Sequence, residues 1–82
     1  MLIEVTAEDI KKGEQGNCWR CPIALALIRA FRTDDVAAPG PYARINHERL
    51  DLPNEVRRFI DDFDNGDEVS PFTFELPIKE AA

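Results

Sequence analysis

Cys18-Trp19-Arg20-Cys21 is the stretch of this chain whose residue types and spacing could do chemistry. It is a C-x-x-C, and Pro22 follows it, a residue suited to the first turn of a helix. A thiolate at a helix N-terminus is stabilised by the free amides and the helix dipole, and its pKa falls. That makes a redox centre one reading. A thioredoxin-like motif, however, wants a βαβ setting and a proline between the thiols, whereas Pro22 comes after the second. A zinc site needs four ligands. His47 is the one histidine in the sequence, so an acid would have to be the fourth. The plainer alternative makes Cys21 a small buried cap and Cys18 a loop residue.

The same stretch supports a second kind of site. A helix beginning at Pro22 would present unpaired N–H groups and partial positive charge to an anion. Arg20 could grip a phosphate in a bidentate way, and the indole of Trp19 could stack on a base. Tyr42 and Arg44, on an extended segment after a proline loop, are candidate neighbours. The ligand-binding set is therefore Trp19, Arg20, Cys21, Tyr42 and Arg44. Against it stands the reading in which Trp19 covers the core and Arg20 is solvated. His47 sits among Asn46, Glu48 and Arg49 and reads as a solvated turn residue. Asp61, Asp62, Asp64, Asp67 and Glu68 read as a solvated acidic face without a calcium-loop pattern. Arg58 and Asp62, at i and i+4, are placed to pair. Spacing alone assigns no catalytic residue, no metal ligand set and no cofactor.

These side chains need elements to position them. Leu2 to Val5 reads as a short strand. Thr6 is an N-cap for a two-turn helix with Glu8 and Asp9 in its first turn, Lys11 and Lys12 at its end and Gly13 closing it. Glu14 to Arg20 is a polar loop. A second helix runs from about Pro22 to Arg32, and Arg29 and Arg32 are its polar side chains. A helix apolar nearly all round must be buried on most sides. Thr33 to Gly40 is a connection that ends in Pro39-Gly40-Pro41.

Tyr42 to Asn46 alternates and looks extended, with Arg49 to Leu52 as a possible pairing strand after a turn near His47-Glu48. Pro53 starts a third helix. Its Val56, Phe59, Ile60 and Phe63 fall on one stripe, and Gly66 supplies a left-handed cap. Phe72 to Leu76 is a strand with Phe72, Phe74 and Leu76 on one face, bracketed by Pro71 and Pro77. The order β-α-α-β-(β)-α-β predicts one α+β domain over residues 1–82, a small mostly antiparallel sheet with helices packed on one face.

Composition narrows the function classes. A chain of 82 residues with 44% hydrophobic residues can fold, but its core is thin. The net charge of −6 argues against general nucleic-acid binding. No run approaches the roughly 20 apolar residues a membrane span needs. Two cysteines and no signal peptide point to a cytoplasmic protein. The second helix also predicts assembly: Ile23, Leu27, Ala30 and Phe31 make one stripe, while Leu25 and Ile28 lie off it. With little chain left to cover both, the expectation is a homo-oligomer, a two-fold dimer meeting at Leu25 and Ile28, unless a loop such as Val36 to Tyr42 covers them.

Two stretches carry a resemblance. Cys21-Pro22-Ile23-Ala24-Leu25-Ala26-Leu27 resembles the "CP(I/V)ALAL" helix of small phage and prophage proteins. The segment from Leu52 to Gly66, with Pro71-Phe72-Thr73-Phe74 after it, resembles the closing helix and strand of the same group. The resemblance implies a phage-encoded accessory protein in the bacterial cytoplasm, one that binds a host factor rather than catalysing. The function expected is a non-catalytic binder that neutralises a bacterial defence component. It would do so by sequestering a small nucleotide signal or by occluding a protein partner. A C-x-x-C redox or zinc protein is the alternative.

Overall fold

The computed structural model describes residues 1–76, so Pro77, expected to close the last strand, lies outside the described residues. The chain is an α+β domain of antiparallel sheets and helices, as its pattern predicts. The elements are β1 (Leu2–Val5), α1 (Ala7–Lys12), α2 (Pro22–Phe31), β2 (Val36–Ala37), β3 (Tyr42–Ile45), β4 (Glu48–Asp51), α3 (Asn54–Asp64) and β5 (Phe72–Glu75).

The strands form two sheets: β1 pairs with β5, and β3 lies between β2 and β4. Strand β2 lies inside the segment read as a plain connection. Its two residues are too few to show alternation, and both are buried. The β3–β4 hairpin turns on Asn46 and His47, with φ of 50° and 72°. Two left-handed residues in a two-residue loop give a turn whose twist matches the strands. The turn thus lies one residue earlier than the sequence suggests, and β4 starts at Glu48.

Local chemistry explains the helix ends. Thr6 and Asp9 form a reciprocal capping box: the Asp9 amide donates to Thr6 Oγ1 at 3.1 Å, and the Thr6 amide donates to Asp9 Oδ2 at 2.9 Å. Gly13 closes α1 in extended conformation, φ −65°. Its lack of a side chain serves space rather than backbone freedom. A Cβ there would lie 2.6 Å from Pro22 Cδ and 2.9 Å from the Pro22 nitrogen. Gly66, φ 82°, sits in the left-handed region just past α3, as expected.

The buried apolar residues make one cluster that draws on both sheets and on α2 and α3. Val56, Phe59, Ile60 and Phe63, the expected stripe of α3, are all buried. Phe59 meets Phe72 of β5 at a centroid distance of 4.8 Å. Helix α2 buries Pro22, Ile23, Ala24, Ala26 and Leu27. It packs against α1 and strands from both sheets. Leu25 and Ile28 remain partly exposed. The monomer therefore covers more of α2 than the sequence suggests. Val36 of β2 lines a groove with Leu25 and Ile28 and leaves both partly open. Among the described residues, no helix is long and apolar enough to cross a membrane.

Candidate functional site

The loop from Glu14 to Arg20 is tied down along most of its length. Gln15 Nε2 donates to the Phe63 carbonyl at 3.1 Å, and the Gly16 amide donates to Asp64 Oδ1 at 3.0 Å. Both bonds anchor it to the C-terminal turn of α3. Asn17 organises the tip: its carbonyl accepts from the Arg20 amide at 3.1 Å, and its Oδ1 accepts from the Trp19 amide at 3.0 Å. The Cys18 carbonyl accepts from the Ala38 amide at 2.7 Å, which pins the loop to the end of β2. The backbone under Trp19 and Arg20 is thus set from three sides.

That scaffold holds Trp19 largely outside the core. Its relative exposure is 56%, so the indole does not serve mainly to cover the interior. Trp19, Arg20, Leu25, Ile28, Asp34 and Val36 line one groove of about 450 Å³ between α2 and β2. Two sets of residues that the sequence treats separately, the ligand pair Trp19 and Arg20 and the interface pair Leu25 and Ile28, therefore share a surface. Asp34 is the lining residue sequence reasoning missed. It lies in the unpatterned Thr33-Asp34-Asp35 turn, and no periodicity marks it. Among the described residues, neither Arg20 nor Asp34 makes an ion pair.

Cys21 has a different role from its neighbours. It is 2% exposed, and its Sγ accepts from the Ala24 amide at 3.4 Å as the N-cap of α2. Burial pushes its thiol pKa up, against weaker help from the Ala24 and Ile23 amides. Pro22 has no amide to offer, and the Ala24 amide is given to the sulfur. The anion-binding N-terminus that the sequence suggests is therefore occupied by the chain's own side chain. The raised pKa also runs opposite to the lowered one a redox thiolate needs. Cys18 and Cys21 are both free thiols. His47, the possible third zinc ligand, points its Nε2 at Asp35 Oδ2, 3.2 Å away. Among the described residues, no three His, Cys, Asp or Glu side chains cluster as a metal site would require.

Tyr42 and Arg44 do not join the groove. They belong to β3, whose Ala43 and Ile45 face the core, so Tyr42 and Arg44 face out. Arg49 of β4 lies over the Tyr42 ring, 4.1 Å from its centroid. Arg58 and Asp62 of α3 line a shallow cavity beside Phe59 and Phe72 without coming within ion-pair distance of each other. The acidic face of α3 is solvent-facing, as expected.

One polar site, a half-exposed Arg29 on a buried Asp9, is not marked in the sequence. Arg29 Nη1 and Nη2 reach Asp9 Oδ1 and Oδ2 at 2.8 and 2.9 Å, and Nη2 also donates to the Glu4 carbonyl at 2.7 Å. Burial alone would raise the Asp9 pKa. The Arg29 and Thr6 hydrogen bonds outweigh it and hold the carboxyl below its ordinary value. A bidentate guanidinium–carboxylate pair of this kind is charge-assisted and rigid. It joins α2 to the capping box of α1 and to β1, and it serves the fold.

No protein-family model matches the chain, and neither a curated protein nor a solved structure is similar to it.

Proposed function

We propose that this chain is a non-catalytic binding protein that acts through the groove between α2 and β2 and occludes a protein partner. The observation that carries the reading is Trp19: a large aromatic, half in water, on a loop fixed at several points, beside the partly buried Leu25 and Ile28. Tryptophan and arginine are the residue types that most often dominate protein interfaces. A pre-ordered anchor loses little entropy when a partner covers it. Arg20 and Asp34 give the same groove one charge of each sign, so a partner would bring an apolar side chain for its floor and opposite charges for its rim.

The resemblance to small phage and prophage proteins supports a bacterial defence component as the partner. Sequestration of a nucleotide is the second reading, supported by the indole and guanidinium of neighbouring Trp19 and Arg20. It is weaker, because Asp34 lines the groove and the Ala24 amide of α2 is given to the Cys21 sulfur. A redox or zinc role has least support, given the buried Cys21 thiol.

Site-specific photo-crosslinking in a bacterial host tests the proposal. A benzophenone side chain at position 19 or 28 should give the same discrete protein adduct, and one at the exposed position 61 should not. Absence of any adduct at 19 and 28, combined with a thermal shift on adding nucleotides, would replace occlusion with sequestration.

A further inference from the structure

The outer face of the three-stranded sheet carries two arginines side by side. In the register of β3 and β4, Arg44 lies directly opposite Arg49, and Ala37 of β2 lies opposite Arg44 on the other side. The amide of Leu52 donates to the Pro41 carbonyl at 3.2 Å, so Pro41 and Leu52 are a hydrogen-bonded pair. Alternation along an antiparallel ladder then makes Tyr42 and Asp51 a non-hydrogen-bonded pair, Ala43 and Leu50 a bonded one, and Arg44 and Arg49 non-bonded again. Such pairs hold their side chains closest. Like charges directly opposite each other destabilise a sheet, yet this acidic chain places two arginines opposite each other there.

Little among the described residues neutralises them. Among the described residues, Arg44 has no carboxylate within ion-pair distance. Arg49 meets Asp51 only at 3.8 Å, beyond hydrogen-bond reach. The ring of Tyr42 supports Arg49, whose guanidinium carbon lies 4.1 Å from the ring centroid in a cation–π contact. Ala37, on the far side of Arg44, adds little bulk.

From this arrangement we propose that Arg44 and Arg49 form a binding site for the phosphoryl group of a small phosphomonoester. One dianionic phosphoryl would accept hydrogen bonds from both guanidiniums and cancel their repulsion, with Arg49 held in place by Tyr42. Arginine suits this ligand because its planar fork matches two phosphate oxygens at once. The site is separate from the Trp19 groove and stands or falls independently of it.

NMR titration of the arginine Nε–Hε signals tests the site, with phenyl phosphate and inorganic phosphate at ionic strength matched by chloride. Saturable shifts at Arg44 and Arg49 are expected, with affinity reduced about tenfold by Arg44→Gln and unchanged by Arg58→Gln or Trp19→Ala. Without phosphate, Arg44→Gln should raise the melting temperature by about 1–3 °C, because it removes the like-charge pair. Shifts that track chloride as well as phosphate, or equal losses in Arg44→Gln and Arg58→Gln, overturn the proposal.

Discussion

Asp34 and Arg20 line the same groove with opposite charges and, among the described residues, no ion pair of their own, beside Leu25 and Ile28 of α2. A second copy bringing its Asp34 to this Arg20 and its Arg20 to this Asp34 would satisfy both charges in one two-fold interface. In the absence of a partner protein, this surface is therefore expected to self-associate. Light scattering during size exclusion should give a mass that climbs with concentration from 9.3 kDa toward twice that value. Leu25→Glu should hold it at the monomer mass. A wild-type mass that stays at 9.3 kDa at every concentration would remove the dimer.

The cysteines should differ in reactivity. In the native protein, iodoacetamide should modify partly exposed Cys18 and spare Cys21, which is buried and has its pKa raised by that burial. Mass mapping after alkylation reads this directly, and Cys21 should react once the chain is unfolded. Cys21→Ala removes the α2 cap and should cost about 1 kcal/mol. Cys18→Ser should leave stability unchanged.

Gly13→Ala should destabilise the fold by about 1–3 kcal/mol. The new methyl would meet the Pro22 ring and backbone at under 3 Å, and neither is free to swing aside. Chemical denaturation checks it. A loss confined to a few tenths of a kcal/mol would mean that α1 and α2 can move apart freely.

Asp9 and Arg29 set an acid limit. Because the folded Asp9 pKa lies below its ordinary 3.8, the pair's contribution is fully present above that value and is lost as pH falls through the lower folded pKa. Asp9→Asn should cost about 2 kcal/mol at neutral pH, and the gap to wild type should narrow below pH about 4. Urea titrations at pH 7 and pH 3 measure both. A gap that stays constant would mean that neither Arg29 nor the α1 cap favours the ionised form of Asp9.

Much of this fold was legible because it is written in local codes. The stripe of Val56, Phe59, Ile60 and Phe63, the alternation of Phe72 to Leu76, the Thr6 cap and Pro22 at the first helical position each depend on neighbours within a turn or two. Strand β2 was not legible, since Val36 and Ala37 are fixed by pairing with Ile45 and Arg44. The division into two sheets likewise depends on which strands meet across the whole chain. Site residues followed the same rule. Trp19 stands out because the sequence holds a single tryptophan, and Arg20 stands out as its neighbour beside the C-x-x-C. Asp34 and Arg49 meet the groove residues and Tyr42, respectively, only across elements distant in sequence. Cys21 was expected at the helix cap. What sequence could not show was that its sulfur, rather than a ligand, takes the Ala24 amide there.

The pairing of β1 with β5 has a kinetic consequence. Ile3 and Phe74 are direct partners, so the sheet that buries them closes a loop spanning nearly all the described chain. Contacts so distant in sequence form slowly, because the entropy of closure must be overcome before they contribute. During synthesis, β1 is made before β5, and its Ile3 and Val5 stay without the β5 edge until residue 75 is made. The hairpin β3–β4 and the capped helices can form early, and the terminal ribbon locks last. A destabilising change in β1 should therefore speed unfolding more than it slows folding.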